Sequence, residues 1–279
     1  MPESAEEKAA ERSARAQANR SYLELARRSL TEESARHEVT EGGVTRRLLV
    51  TRRGVGPIAT PFAGEFFMFD FEVDDQWRKY SVLFKGEIDQ HLRPKHEPEL
   101  PLLLRIDSGC ETGQVFHDTS CECGAQMHRA LELINESGQG LLISIPRQDG
   151  RGMGLPFKLA TLTVQTEMGL DTVRAAALLD PQGERDKRTY SGAIAVLMFL
   201  GFSPPLEILL LTNNELKHAI FPENGYDATL NPFSTSVTSE VRLHLEAKKR
   251  DLGHHIDLYD SETDANQDAH NHNEGRENE

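Results

Sequence analysis

The chain has 279 residues, of which 38% are hydrophobic and 27% charged, and its formal net charge is −14. This length suits one large domain or two small ones, and the acidity excludes the overall basic footprint of a nucleic-acid-binding protein. No apolar run of roughly 18 residues occurs, so we expect no membrane span. The N-terminus is polar and charged, unlike a secretory signal. With three cysteines in no paired framework, the composition predicts a cytoplasmic protein.

The chain begins with a segment rich in helix formers. Residues 3–38 consist largely of Ala, Glu and Arg, with no proline after Pro2, which favours a helix. The apolar face of this segment is weak. We therefore predict a solvated helical arm over residues 1–40, and an arm that binds a partner is the alternative.

From residue 44 onward, apolar and polar residues alternate. Phe67, Phe69 and Phe71 fall on one face of a strand, and Asp74 to Gln76 suit a turn between two strands. This pattern predicts an antiparallel β section.

Residues 100–230 alternate short apolar runs with helical stripes, as an α/β domain does. Leu102 to Ile106 predicts a strand, and residues 125–137 carry the apolar spacing of a helix. The segment that contains Asp171 and Thr172 is interpreted as a strand or loop. The charged GERDKR loop after it is interpreted as solvated.

Together these patterns predict the α/β fold class, with a mixed sheet and flanking helices. The sheet is preceded by an antiparallel β section and by the N-terminal helical arm. We predict a catalytic domain over residues 41–235, followed by a charged helix and a disordered tail over residues 236–279.

All three cysteines lie in one stretch, at Cys110, Cys121 and Cys123. Clustered, odd-numbered cysteines in an intracellular chain favour a metal site over a disulfide. Zinc held by three protein ligands keeps a fourth position open, as in catalytic sites. Two alternatives remain. One is a set of buried structural thiols, and the other is a structural zinc whose fourth ligand is His117 or His128.

A glycine-rich loop at residues 147–154 precedes a helix with Pro156 in its first turn. Such loops can approach a phosphate closely, and the Arg151 guanidinium suits bidentate phosphate contact. An ordinary strand-to-helix turn is the alternative. Further on, the apolar run 207–214 ends in polar residues, and ligands of open α/β sheets collect at such strand ends.

The motifs RIDSGCETGQVF, CECGAQ, RQDGRGMGL, LDTV, ERD and LLLTNN occur in this order over roughly residues 100–230. In this order they resemble GTP cyclohydrolase II, an enzyme of riboflavin synthesis. The resemblance implies hydrolysis of the imidazole ring of GTP, with loss of carbon 8 as formate and release of pyrophosphate. It also implies Zn²⁺ on the three cysteines, Mg²⁺ on the triphosphate and a homodimer.

The resemblance implies a set of site residues as well. It places nucleotide contacts at Arg105, Asp107, Ser108, Gly109, Gln126, Asp149, Gly150, Arg151, Thr172, Thr212 and Lys217. It places at Arg185 an arginine proposed as a nucleophile toward the α-phosphorus. Since an ordinary arginine is always protonated, a charge-stabilising role for Arg185 is equally open.

This sequence departs from the family pattern at base-facing and proton-transfer positions. The family glutamate before the first cysteine is Gly109 here, and an acid, Asp107, appears two positions earlier. A tyrosine of the family is Leu162. The aspartate regarded as proton acceptor is Gly183, for which Asp180 is the predicted substitute.

These departures leave open what the site acts on. GTP is the first expectation. The alternatives are opening of a uracil nucleotide ring (UMP or UTP), to which divergent relatives in uracil catabolism point, and a nucleotide-binding module without catalysis. If the base has changed, Gly109→Glu is predicted to restore some GTP turnover.

Overall fold

An eight-stranded mixed sheet organises the residues that this computed structural model describes, which are 5–97, 100–183, 186–233 and 249–251. The strands are β1 (Glu33–Glu41), β2 (Val44–Thr60), β3 (Gly64–Val73), β4 (Lys79–Lys85), β5 (Leu102–Ser108), β6 (Gly140–Ile145), β7 (Glu207–Leu210) and β8 (Asp227–Leu230). In space their order is β1-β2-β3-β4-β6-β5-β7-β8. Pairing is antiparallel from β1 through β4 to β6, and parallel for β6–β5, β5–β7 and β7–β8. The predicted α/β class with an antiparallel section ahead of a mixed sheet is confirmed.

Helices cover both faces of this sheet. They are α1 (Ala5–Ser29), α2 (Glu111–Gln114), α3 (Cys123–Ser137), α4 (Leu155–Met168), α5 (Thr172–Leu179), α6 (Ser191–Phe199), α7 (Glu215–His218) and α8 (Ile220–Glu223). The apolar α6 is buried over most of its length and packs in the main core with β3 and β4. On the other face, Leu131 and Ile134 of α3 pack with Leu142 of β6. Among the described helices, none has both the length and the apolar character that crossing a membrane requires.

The predicted N-terminal helix is shorter than the sequence indicated. It ends at Ser29, and Glu33–Glu41 forms β1, which pairs with β2. Every second residue of β1 faces inward, as Ala35, His37 and Val39 do. The sequence analysis did not recognise this alternation because the segment is rich in helix-forming residues. The helix prediction was therefore wrong after Ser29. The division into an arm, a catalytic domain and a tail stays a prediction, and most of residues 236–279 lies outside the described residues.

The segment at Asp171 is also different from its prediction. It is not a strand or loop but the start of α5, because the Asp171 carboxylate accepts hydrogen bonds from Val173 N and Arg174 N, each at 2.9 Å. An aspartate in this position satisfies amides that have no partner within the helix. The cap fixes where Thr172 sits.

The turn between β3 and β4 is anchored on α6. The Asp75 carboxylate accepts hydrogen bonds from Trp77 N at 3.0 Å, from Arg78 N at 2.9 Å and from the Tyr80 hydroxyl. A side chain at Gly192 of α6 would overlap both Tyr80 Oη and Asp75 Oδ2. The close approach of turn and helix therefore requires a glycine there.

We expect Gly192→Ala to lower the free energy of unfolding by about 1–3 kcal/mol, because the added methyl group overpacks a filled site. Urea unfolding of the two proteins measures the difference. Gly56→Ala is the matched control, since its methyl group would meet no atom within 4 Å, and it should change stability by less than about 0.5 kcal/mol. Equal stabilities of the two variants would contradict the packing argument.

Candidate active site

The carboxyl ends of three parallel strands open into one cavity of about 180 Å³. The end of β5 carries Arg105 and Asp107, the loop after β6 carries residues 148–151, and the segment after β7 leads to Lys217 on α7. Parallel neighbours end at the same edge of a sheet, where ligands of α/β proteins bind. Segments that lie far apart in the sequence therefore meet in one place.

The three cysteines converge beside this cavity. Cys110 directly precedes α2, and Cys123 is the first residue of α3. All three sulfurs lie within 4.8 Å of one another, and Cys110 Sγ is 3.6 Å from Cys121 Sγ. A Cβ at Gly113 would lie 2.7 Å from Cys121 Sγ, so glycine at this position leaves the sulfurs room to meet.

The sulfur cluster fits zinc by its chemistry. Three thiolates at one point are a donor set that Zn²⁺ prefers. Among the described residues, the group that could hold a metal consists of the three cysteines without a histidine. The His128 ring packs instead against Phe62, with centroids 4.1 Å apart. The alternative of a structural zinc with His117 or His128 as fourth ligand therefore finds no support.

A lysine that the sequence analysis missed contacts the sulfurs. Lys158 Nζ lies 2.9 Å from Cys110 Sγ and 3.9 Å from Cys121 Sγ, and it also bonds Thr112 Oγ1. Hydrogen bonds from the Cys121 and Cys123 thiols, and then from the Lys158 ammonium, lower the pKa of Cys110. The sequence feature that could have identified Lys158 is its position in the first turns of the helix that follows the glycine-rich loop.

Asp107 is fully engaged with protein groups. It is buried, its Oδ1 lies 3.3 Å from Arg105 Nη2, and its Oδ2 accepts a hydrogen bond from Gln114 Nε2 at 2.7 Å. Gln114 Oε1 in turn accepts from Cys110 N at 3.1 Å. This chain of contacts ties the end of β5 to the cysteine loop. Sequence reasoning did not identify Gln114, whose role depends on the turn of α2.

Gly109 lies against β6 and is not among the described residues that line the cavity. Its N–H donates to Ile145 O at 2.9 Å, and a Cβ would lie 2.8 Å from Pro146 Cα. A glutamate at Gly109 would therefore displace the backbone. Gly109→Glu consequently tests the tolerance of this packing rather than the choice of base.

Basic side chains line the remainder of the cavity. Arg151 Nη2 donates to Thr172 Oγ1 at 3.2 Å, and Lys217 Nζ donates to Ile106 O at 2.7 Å. Burial, followed by the charges of Arg105 and Arg188, lowers the pKa of Lys217 to about 7. Burial and the charge of Arg188 also lower the pKa of Arg151. Such a concentration of buried positive charge suits a polyphosphate.

Arg188 is a cavity residue that the sequence analysis did not select. Its Nε donates to Asp186 Oδ1 at 2.8 Å, and its side chain is only 14% exposed. The interpretation of the GERDKR loop as solvated was therefore wrong for Asp186 and Arg188. The segment that contains Arg188 packs against the glycine-rich loop because Lys187 N donates to Arg151 O at 2.9 Å. This contact joins segments that are distant in the sequence.

The structure brings most of the predicted site residues together. The predicted residues that line the cavity are Arg105, Asp107, Ser108, Cys110, Cys121, Cys123, Gln126, Asp149, Gly150, Arg151, Thr172, Thr212 and Lys217. Asp180 lines a neighbouring pocket at the end of α5. Arg185 lies outside the described residues.

Fold and site together define an α/β protein with three clustered cysteines, which could hold a metal ion, at a cavity lined by basic side chains. The family model for GTP cyclohydrolase II matches residues 52–228, and the chain belongs to that family. It is 32% identical over 192 residues to a riboflavin biosynthesis protein RibBA of Phocaeicola vulgatus, covering 68% of this chain and 44% of the relative. It is 38% identical over 176 residues to a GTP cyclohydrolase-2 of Archaeoglobus fulgidus, covering 63% of this chain and 42% of the relative. The chain thus spans about half the length of the curated relatives it matches.

We expect Cys121→Ser to lose bound zinc while the chain remains folded, because two thiolates hold the metal more weakly than three and α3 and β6 supply the local core. Metal analysis of the purified protein and circular dichroism measure the two properties. Ser120→Ala, next to the same cysteine, should retain the metal. Unfolding of Cys121→Ser would contradict this expectation and would indicate a structural zinc.

Proposed function

We propose that this protein is a zinc-dependent nucleotide cyclohydrolase that hydrolyses the imidazole ring of GTP, releasing formate and pyrophosphate. The observation that carries the proposal is the position of the three cysteine sulfurs at the wall of a cavity lined with Arg105, Arg151 and Lys217. A metal centre and a polyphosphate subsite are the two parts that such a reaction needs. Membership of the family, whose name states the activity, supports the same conclusion.

The basic residues bind and orient the nucleotide in this proposal. Arg151 is presented by a loop in the left-handed conformation, with φ of 60°, and its fork suits two phosphate oxygens. Lys217 adds a charge at the end of β5. Mg²⁺ bound to the triphosphate would neutralise part of the phosphate charge.

The cysteine loop positions the reacting end of the substrate. Cys110, Cys121 and Cys123 would hold zinc, which when bound supplies a Lewis acid next to the ring. The Gln114 contacts to Asp107 and to Cys110 N fix the loop relative to β5. Asp149 Oδ1, which accepts from Glu111 N at 2.9 Å, fixes it relative to the glycine-rich loop.

Asp180 is the proposed proton acceptor in place of the family aspartate. A side chain at Gly183 would overlap the Asp180 carboxylate, so that carboxylate occupies the space into which an aspartate at position 183 would extend. Arg185, two residues after Gly183, is the proposed charge-stabilising residue.

A uracil nucleotide is the second candidate substrate. Both oxygens of Asp107 are engaged with Arg105 and Gln114, and Gly109 has no room for a side chain. A carboxylate that would pair with the guanine N–H groups is therefore missing at these two positions. A homodimer and a role in riboflavin synthesis complete the proposal for GTP, whereas uracil catabolism accompanies the second candidate.

We expect protein loaded with zinc and magnesium to convert GTP to formate and a diaminopyrimidinone, followed together by ultraviolet spectra and mass. UTP and UMP are tested in parallel.

Arg151→Gln should lower kcat/KM about tenfold or more, since it removes a charged hydrogen bond. Arg174→Gln, at a side chain that is 65% exposed on α5, should leave it unchanged.

Two other outcomes of this experiment would support the alternative functions. A water-added product from a uridine nucleotide, with GTP untouched, would identify the second candidate. Unchanged spectra from all three nucleotides, with nucleotide still bound, would contradict catalysis and identify a binding module.

We expect nucleotide affinity to fall as the pH rises through about 7, because the Lys217 pKa of about 7 makes its ammonium lose a proton there. Below that pH the ammonium is present and binds phosphate. Affinity for a non-hydrolysable GTP analogue is measured from pH 6 to pH 9 for wild type and Lys217→Arg. The arginine keeps its charge throughout, so its curve should be flatter, and parallel curves would remove Lys217 from the phosphate contact.

A further inference from the structure

A second pocket, of about 530 Å³, lies next to the start of β1. It is formed where the end of α1 and the start of β1 meet β2 and the loop before β5. The described residues that line it are Arg28, Thr31, Glu33, Arg52, Gln90, His91, Leu92 and Arg93. None of these residues lines the catalytic cavity. We call this group the arginine pocket.

Arg52 is a buried cation with incomplete hydrogen bonding. Its side chain is 6% exposed, and Nε has no partner among the described residues. Nη1 lies 3.5 Å from His91 O and 3.4 Å from Leu92 O, and Nη2 lies 3.5 Å from Glu33 Oε2. These distances exceed the usual separation of about 2.9 Å. A buried guanidinium with only long contacts points to a partner that completes it.

The arginine pocket carries an excess of positive charge. Arg28, Arg52 and Arg93 contribute three guanidiniums, and Glu33 is the acidic side chain among the lining residues. Three positive charges against one leave a net charge of +2 with His91 neutral. Glu33 pairs with both Arg52 and Arg93, so no carboxylate in the lining remains for Arg28. The Arg28 Nη1 donates to Gln90 O at 2.9 Å.

The loop that presents Arg93 is firmly held. Asp89 Oδ1 accepts hydrogen bonds from His91 N at 2.7 Å and from Arg93 N at 2.9 Å, while Asp89 N donates to Arg93 O at 2.8 Å. The Leu92 side chain is 4% exposed and anchors the turn. The arginine is thus held over the pocket by a turn with its own hydrogen bonds.

We propose that the arginine pocket binds a phosphate group. Three guanidinium forks match the oxygens of a dianion, and Arg is suited to such bidentate recognition. The Gln90 amide is a further donor in the lining. The pocket depends on α1 and β1, which precede the residues 52–228 that match the family. Arg28, Thr31 and Glu33 thus lie outside the matched range, and the pocket does not rest on the proposed reaction.

Calorimetric titration of the full chain with inorganic phosphate and, separately, with GMP tests the proposal. All proteins carry Arg151→Gln, which weakens phosphate binding in the catalytic cavity. We expect Arg93→Gln and Arg28→Gln each to raise the Kd about tenfold, because each removes a charged hydrogen bond. Both arginines lie at the surface of the pocket, so these variants are expected to fold even where a change at Arg52 is not tolerated.

Two further variants test whether the arginine pocket itself determines the Kd. Glu33→Gln removes the competing carboxylate and should lower the Kd. Arg47→Gln, at an exposed arginine of β2 outside the pocket, is the matched control and should change the Kd less than about twofold. Binding of phosphate without GMP identifies a free anion as the ligand, and binding of both identifies the phosphate of an ester.

The proposal is overturned if the Arg151→Gln chain binds neither ligand at about 10 mM. It is equally overturned if Arg47→Gln raises the Kd as much as Arg93→Gln does, since the charge of the whole surface would then be responsible.

Discussion

The parallel pairing of β5 with β6 and with β7 aligns Ser108 with Ile145 and Leu104 with Leu210. This register brings the ends of three strands to one edge, and each strand end contributes a polar segment. Arg105 Nη1 donates to Leu211 O and so ties β5 to the residue after β7, and Lys217 Nζ donates to Ile106 O and so ties α7 to β5. A shift of one residue in either pair would place the apolar residues of β5 in the cavity.

Burying so many charges at one edge requires that they neutralise one another. Arg105 is paired with Asp107 and Arg188 with Asp186, and both pairs are largely buried. Arg151 and Lys217 have no carboxylate partner of this kind among the described residues, and burial lowers the pKa of each. The neutralised pairs form the frame of the cavity, whereas the unneutralised cations are the ones left for a ligand.

Local patterns made part of this site predictable. The cysteine spacing and the apolar stripe of α3 lie within a short stretch, so the sequence indicated both the candidate metal ligands and the helix that carries Cys123. Strand β5 and its polar end were also recognisable. The order of six motifs indicated the family, which the match over residues 52–228 confirms.

Other features depend on contacts between distant segments, and the local sequence pattern was not sufficient to predict them. Lys158 reaches the sulfurs across 48 residues of sequence, from Cys110 to α4. Arg188 is buried because its segment pairs with the glycine-rich loop. Likewise β1 is a strand because β2 offers it an edge, although its composition favours a helix.

The close spacing of the cysteines has a consequence for how the protein is made. Cys110 and Cys121 are separated by 11 residues, whereas Ile106 and Lys217 are separated by 111. During synthesis the thiols emerge well before the lysine that completes the cavity. A growing chain therefore carries its three clustered thiols before it carries Lys217. The order of synthesis thus separates the cysteine cluster from a cation that lines the same cavity.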